Sequence, residues 1–502
     1  MLTRQTVTRW LVLAGTIAMI SILYRTTVPK GGRLKPIDEL RVRFTGKVAI
    51  PDPAHIESTG DWYYLDHISS GLSFYDSQKK EFLPMLAESW VNDADGTHRF
   101  KIRDGITFHD GTPITARDIV WSLKRQVLLK TSTHFPLWEY VEGADQIRTL
   151  EDDCSGLKAV GDKEIAIRLK APSESFFLQV ASPETGIWAA SDMDPKTLAL
   201  HPTKFSGAYY VASQDAKSVL LKRNPHSLIS QRFPNSPKAI LVKGIPLTGI
   251  DQALADHEID LVVRLYSGQS ERNWSQFDIQ RRSTTASGII NLNGAGKGPY
   301  PAIGRDLMEA IWKINRDPIL APAETFLPFA ASYGLKDQEL LSELPEHSAK
   351  KIRLLCSQGY FTQPFLDQLQ KAARSVGTEF EYVFLPSSQW FAAFDDPKAG
   401  DKADYFLGIY AASERYPAVQ LRYLTGPFVT PPIDLKKAEN PDLNSAQIEM
   451  LRDYQKWLLR SRQAIPFYFT VTEFLSHGPI DLGDQPTSDA EVELWRVQSK
   501  AL

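Results

Sequence analysis

Residues able to carry chemistry are few in this chain and widely spaced. The ten histidines are scattered, and neither an H-E-x-x-H nor a G-x-S-x-G stretch occurs, so no zinc-peptidase helix and no serine nucleophile elbow can be assembled locally. Gly294-Ala295-Gly296-Lys297-Gly298 has the outline of a phosphate cradle. It lacks the upstream glycine and the Ser or Thr that must follow the lysine, and Pro299-Tyr300-Pro301 would block the helix start whose N–H groups hold a phosphate. It reads as a loop near a hinge. Cys154 and Cys356 stand far apart with no C-x-x-C around either, which excludes a structural zinc site and a disulfide-built fold. They read as two core thiols, the alternative being one bridge in an oxidising compartment. No catalytic constellation forms, so no enzyme activity is expected. What remains is binding.

The elements that must position a binding site come from a long chain. At 502 residues, two to four folding units are expected on a prior of roughly 150 residues each. With 43% hydrophobic residues, 23% charged residues and a net charge of -3, nothing in the composition calls for nucleic acid or an anionic membrane surface as partner. At the N-terminus, Arg4 and Arg9 precede an apolar run from Trp10 to Leu23, closed by Arg25 and Lys30. That is the layout of an export signal, and the run is shorter than the roughly 20 residues of a bilayer span. No good small-x-small cleavage site follows, since Ser21 to Arg25 reads Ser-Ile-Leu-Tyr-Arg, so the segment reads either as a cleaved signal or as an uncleaved membrane anchor. A buried helix is the alternative. Arg25, Lys30, Arg33 and Lys35 outnumber the positive groups before the run, so charge leaves its orientation open. No cysteine precedes Cys154, which excludes a lipid-modified N-terminal cysteine.

Thr26 to Pro36 is rich in Gly, Pro and Lys and reads as a linker, with the folded body starting near Leu40. Asp95-Gly96, Asp104-Gly105 and Asp110-Gly111 are tight-turn dipeptides. Between them Phe100 and Ile102, then Ile106 and Phe108, alternate at the strand period, which predicts an antiparallel meander. Thr115 with Asp118 is a helix-start signature, and Ile119, Leu123 and Val127 follow at helical spacing. A different rhythm begins at the apolar run Ile352 to Cys356. Phe365, Leu369 and Ala372 then mark a helix ending at Gly377, and Phe380, Tyr382 and Phe384 a second strand, the order of a parallel crossover unit. Ile448, Leu451 and Leu458 mark a long helix before a strand over Ile465 to Val471. The class is α/β, with this second lobe distinct from the first and no internal repeat.

Pro84 to Trp90, Asp95 to Thr97 and Phe100 to Val120 together resemble the signature of family 5 extracellular solute-binding proteins, the dipeptide- and oligopeptide-binding components of ABC importers. Weaker echoes follow in the family's order: Asp52-Pro53-Ala54, Gly71-Leu72 with Tyr75-Asp76, Phe205 to Tyr210, Leu221 to Pro225, Glu258 to Asp260, Ile290 to Asn293, Asn315 to Asp317, and Ile465 to Val471. The resemblance implies a two-lobed periplasmic-binding-protein-like clamshell of class II, type C. Residues 1–39 would be signal or anchor and linker, 40–287 lobe I with an inserted subdomain over 53–185, 288–471 lobe II, and 472–502 the return segment of lobe I. Two chain crossings make a hinge, and ligand in the cleft favours the closed state that a permease recognises. The implied protein is a monomer without cofactor, periplasmic or on the outer face of the cytoplasmic membrane, delivering a peptide or peptide-like solute to an ABC permease. The alternative is the same clamshell as a sensing module without transport.

The family's peptide binders hold the ligand's amino group with a lobe II aspartate just before a Y-x-x-P turn, because a cation buried in a cleft needs a counter-charge. Here the comparable stretch is Tyr410 to Pro417, with Ser413 at the aspartate's position and Tyr410 where a tryptophan is common. Glu414 is the available substitute, with Arg415 beside it able to neutralise it. A solvated surface loop is the plain alternative for that pair. Trp390, Tyr410 and Tyr416 are candidate ligand walls or packing aromatics. Asn293 and Gly71, on family elements, complete the candidate set. Blocked or cyclic peptides, sugars and other amides are therefore open as ligands. Trp90, Phe100 and Phe108 read as core. Glu309 and Lys313 fall where the family has small residues. Some members carry nickel, which singles out His55, His67 and His109, although scattered histidines are more often structural.

Overall fold

The computed structural model describes residues 37–44, 48–56, 59–76, 81–130, 137–173, 176–246, 249–266, 279–314, 321–322, 326, 334–394, 396–411, 417–425, 428–438, 443–477, 480–483, 485 and 492–499. The apolar run Trp10 to Leu23, the linker and the Asn315 to Asp317 element lie outside these residues. No described helix is long and apolar enough to cross a membrane.

The body begins with strand Glu39–Arg43, in which Leu40 and Val42 point into the core while Arg41 points away and donates to Asp260. It pairs in parallel with Ala239–Lys243 on one side and Leu261–Tyr266 on the other. Ser218–Arg223 and Tyr209–Gln214 extend that edge antiparallel. On the other side the sheet runs on through Ala464–His477, Ile279–Gly294, Tyr405–Ala411, Lys351–Ser357 and Glu379–Leu385, and with Ala321–Pro322 attached it counts 11 strands among the described residues.

This one sheet serves two hydrophobic cores. The first is built from residues between Leu40 and Val263 and is completed by Phe474 to Val497. The second draws on residues between Ile290 and Tyr468. Among the described residues, only the long antiparallel pair Ile279–Gly294 with Ala464–His477 runs from one to the other within the sheet. Its register shifts between Ser283 and Ala286 and again between Ala286 and Gly288, where one core gives way to the next. A bulge bends a strand and raises its twist, so the ladder changes direction there.

The signature segment lies in the first core. Gly96, Gly105 and Gly111 all take positive φ, which is why the Asp-Gly turns need glycine. Ala87–Asn92 and Thr97–Ile102 form the expected hairpin, but the meander does not continue as predicted. Thr107 bridges back to Pro113 around the Asp110-Gly111 turn, and the third and fourth strands come from Glu164–Arg168 and Leu157–Ala159. Phe100 and Phe108 are core residues, and Trp90 packs on Phe100 and Phe177.

Helix Ala116–Leu129 starts with the predicted capping box. Asp118 Oδ2 accepts from the Thr115 N–H (2.8 Å) and hydroxyl (2.6 Å), while Oδ1 accepts from the Ala190 N–H at 2.7 Å. The helix also offers Arg125, which grips both oxygens of Asp52 at 2.7 and 2.5 Å. Burial alone would raise the Asp52 carboxyl, but Arg125 outweighs it and holds the group below its ordinary range.

In the second core the crossover unit is as expected. Lys351–Ser357 and Glu379–Leu385 are parallel, joined by helix Gln363–Ser375 with Thr362 as N-cap and Gly377 at positive φ beyond its end. The final helix, Ser445–Arg460, leads into Ala464–His477, which is longer at both ends than the predicted strand.

Two stability effects follow. Asp118→Ala deprives three donors of their acceptor and is expected to cost about 2–3 kcal/mol, against about 1 kcal/mol for Thr115→Ala, read from urea midpoints at neutral pH. Equal costs would show that the bond to Ala190 contributes nothing. The second concerns His67. Its Nδ1 lies 2.6 Å from the Tyr63 carbonyl and its Nε2 accepts from the Leu494 N–H at 3.3 Å, so only the neutral ring satisfies both neighbours. Burial pushes the imidazole down from 6.5 to about 4. The unfolded chain therefore takes up the proton first, and stability that is complete above pH 6.5 falls as pH drops toward 4, by about 3 kcal/mol. His67→Gln should flatten this fall in the urea midpoint relative to the parent, and an unchanged slope would refute the assignment.

Candidate functional site

The candidate ligand residues fall in separate places. Gly71 belongs to the first core, where a Cβ would come 2.5 Å from the Val180 carbonyl oxygen, so its glycine permits a close backbone approach. Asn293, near the end of Ile279–Gly294, is buried in the second half. Its Nδ2 donates to the Leu424 carbonyl (2.7 Å) and its Oδ1 accepts from Asn291 Nδ2 (2.9 Å), so the side chain fastens the strand to the loop after helix Pro417–Tyr423.

Trp390 and Tyr410 are brought near one another. Trp390, on helix Ser387–Phe394, is enclosed by Ala295, Leu355, Ala393, Ala399, Ala403 and Phe406, and its Nε1 donates to the Leu355 carbonyl at 3.0 Å. With ring and N–H both committed, it has the surroundings of a packing aromatic rather than an open wall. Tyr410 is buried on strand Tyr405–Ala411, its ring 6.4 Å from Phe394, and both aromatic rings flank Gly408. Ser413, Glu414, Arg415 and Tyr416 lie outside the described residues. Gly71 and Asn293 do not join the Trp390–Tyr410 cluster.

The three singled-out histidines have different surroundings. His55 is exposed, 3.8 Å from Asp52, His67 is wholly buried, and His109 stacks on Tyr210 at 4.4 Å with its Nδ1 accepting from the Phe205 N–H. Among the described residues no group of three His, Cys, Asp or Glu is placed to hold a metal ion. Cys154 and Cys356 are both free and buried, in the first and second core, which excludes the bridge, and burial pushes the Cys356 thiol up to about 12. Lys313 pairs with Glu309 one helical turn away at 3.4 Å on the exposed side of helix Arg305–Ile314.

The glycine-rich loop begins where Ile279–Gly294 ends, a few residues beyond the last register shift at Ile290 and Asn291. Tyr300 Oη donates to the Gly296 carbonyl (2.7 Å), and a Cβ on Gly296 would come 2.9 Å from the Gly400 nitrogen, so the loop is a packed turn in the second half.

One polar cluster that no local pattern points to lies between the cores. Glu139, on the short helix Leu137–Tyr140, meets Lys436 Nζ at 2.7 Å and Arg422 Nη2 at 3.4 Å through the same oxygen. Arg422 Nη1 donates to the Tyr140 hydroxyl (3.3 Å), and Lys436 Nζ sits 5.6 Å from the centre of the Tyr140 ring. The partners are almost three hundred positions apart, so only the folded chain brings them together.

Residues 81–303 match the family model described as bacterial extracellular solute-binding proteins, family 5 middle. The periplasmic murein peptide-binding protein MppA of Escherichia coli K12 is 29% identical over 161 residues, 31% of this chain and 30% of MppA. The periplasmic oligopeptide-binding protein OppA of the same organism is 28% identical over 185 residues, 35% of this chain and 34% of OppA. The matched stretches thus span about a third of these curated relatives' length. In three dimensions the likeness is far more extensive: the E. coli murein tripeptide binding protein MppA superposes with a TM-score of 0.74 at 15% identity, covering 93% of this chain and 100% of that one. Residues 81–303 thus match the middle region of the family 5 bacterial extracellular solute-binding proteins, and the chain as a whole shares the fold of the solved MppA structure.

Proposed function

We propose that this protein captures a peptide or peptide-like solute between its two halves and presents it to an ABC permease. The observation that carries the reading is the bulged antiparallel pair joining two separate cores, because such a link lets the halves move together without unpacking either. Lobe I would comprise 40–287 and 472–502, with the insertion over 53–185, and lobe II 288–471; the membership of the two cores supports this division. Relatives named for murein peptides and oligopeptides support the ligand class. The Trp10 to Leu23 run would take the folded body across the cytoplasmic membrane and tether it at the outer face.

A ligand touching both halves favours the closed state by its differential affinity, and micromolar capture needs about 8 kcal/mol of net binding free energy. Main-chain hydrogen bonds and aromatic contacts from Tyr410 and Tyr416 are enough for that. Ser413 stands where the family's amine-binding aspartate falls, so recognition would not require a free amino terminus. Glu414 beside Arg415 would be neutralised locally.

Thermal unfolding in the presence of tri- to pentapeptides, their N-acetylated forms and oligosaccharides tests this. An acetylated peptide should raise the melting temperature as much as its free parent, a ligand at 100 times its Kd contributing about 2.7 kcal/mol, while oligosaccharides leave it unchanged. Shifts with free peptides alone would restore amine recognition. Shifts with oligosaccharides alone would remove peptides as the ligand class.

A further inference from the structure

We infer that Glu139, Arg422 and Lys436 form an electrostatic latch that holds the two halves together in the absence of ligand. Each member is mounted on a piece of its own core. Leu137 buries the helix that carries Glu139 and Tyr140 against the first core, and the Tyr140 carbonyl accepts from the Lys170 N–H at 2.8 Å. Leu421 seats the Arg422 helix in the second core, and Leu435 with Ala438 seats the turn that carries Lys436. The charges therefore cannot follow one another if the halves part, and opening must break every contact at once.

The setting makes these contacts stronger than rim pairs. Glu139 and Arg422 keep only 22% and 26% of their side-chain exposure, although Lys436 keeps 48%. Two cations share one carboxylate oxygen, and the Tyr140 ring and hydroxyl serve both, so a hydrogen bond and a cation–π contact add to the ion pairs. Exposed ion pairs change an equilibrium by up to about fivefold each. This cluster, discounted for the exposure of Lys436, should shift the ratio of closed to open forms by about tenfold. The device rests on the two-lobed reading but on no particular ligand.

Its test is therefore made without ligand. Lys158 in the first half and Lys371 in the second are exposed, while both native cysteines are buried, so Lys158→Cys with Lys371→Cys gives a dye pair reporting the distance between the halves. At about 0.01 M salt, where screening reaches only beyond roughly 30 Å, the parent should give one short-distance population. Raising salt to about 1 M, or Glu139→Gln at low salt, should bring up a long-distance population with the open to closed ratio increased about tenfold, and salt should add little to the variant. Arg422→Gln should act in the same direction, and adding it to Glu139→Gln should have less effect than it has alone. Identical distance distributions for parent and Glu139→Gln at both salts would overturn the latch, as would a parent already open at low salt. Neither result bears on peptide capture, which the melting shifts test separately.

Discussion

A backbone ladder that must belong to two cores at once is the constraint from which the architecture follows. Ile279–Gly294 and Ala464–His477 exchange main-chain hydrogen bonds along most of their length, and the sheet continues from them on both sides. Buried N–H and C=O groups must be paired, so the ladder cannot simply stop between the cores. It is interrupted instead, by three register shifts within residues 283–291 that leave the pairing intact on either side. Bending concentrated there would change few backbone angles while leaving Tyr405–Ala411 in register along Gly288 to Gly294.

The first core shows what it takes to keep such a joint between rigid bodies. Long-range side-chain bonds tie its elements together: Arg41 to Asp260, Arg125 to Asp52, and the neutral His67 ring to the Leu494 backbone. Arg43 is the exception. Its Nε donates to the Ile245 carbonyl, yet burial lowers the guanidinium to about 10, with no carboxylate among the described residues set against it. A guanidinium at that value still carries its charge at neutral pH, so this position bears a desolvation cost that the surrounding sheet must outweigh. The return segment helps: Val492, Leu494, Trp495 and Val497 fill the first core from the far end of the chain.

How much of this the sequence discloses depends on the range of the interaction. The Asp-Gly turns, the Thr115–Asp118 cap and the strand–helix–strand unit after residue 350 are local, and they are legible from spacing alone. The third strand of the small sheet is not, because Ile106 and Phe108 alternate like strand residues although Phe108 is buried by a turn that folds back on Pro113. The full length of Ala464–His477 is hidden for a related reason: a strand that passes from one core to another does not keep one inward face. Trp390 illustrates a third limit, since an aromatic suited to a ligand wall is equally suited to packing, and only the bond to Leu355 and its alanine-rich surroundings separate the two. Glu139 and Lys436 carry no local pattern.

These ranges of interaction bear on how selective the binding can be. Closure of a jointed protein draws on three sources of free energy: the ladder, the charges that meet between the halves, and the guest. If the guest had to supply it all, affinity would depend on strong charged contacts to it. Where the halves already meet through Glu139, the guest need contribute only the remainder, and neutral main-chain bonds with shape complementarity suffice. An ion pair at residue 139 that holds the halves together lowers what the guest must supply, and it does so without making recognition depend on the guest's terminal charge.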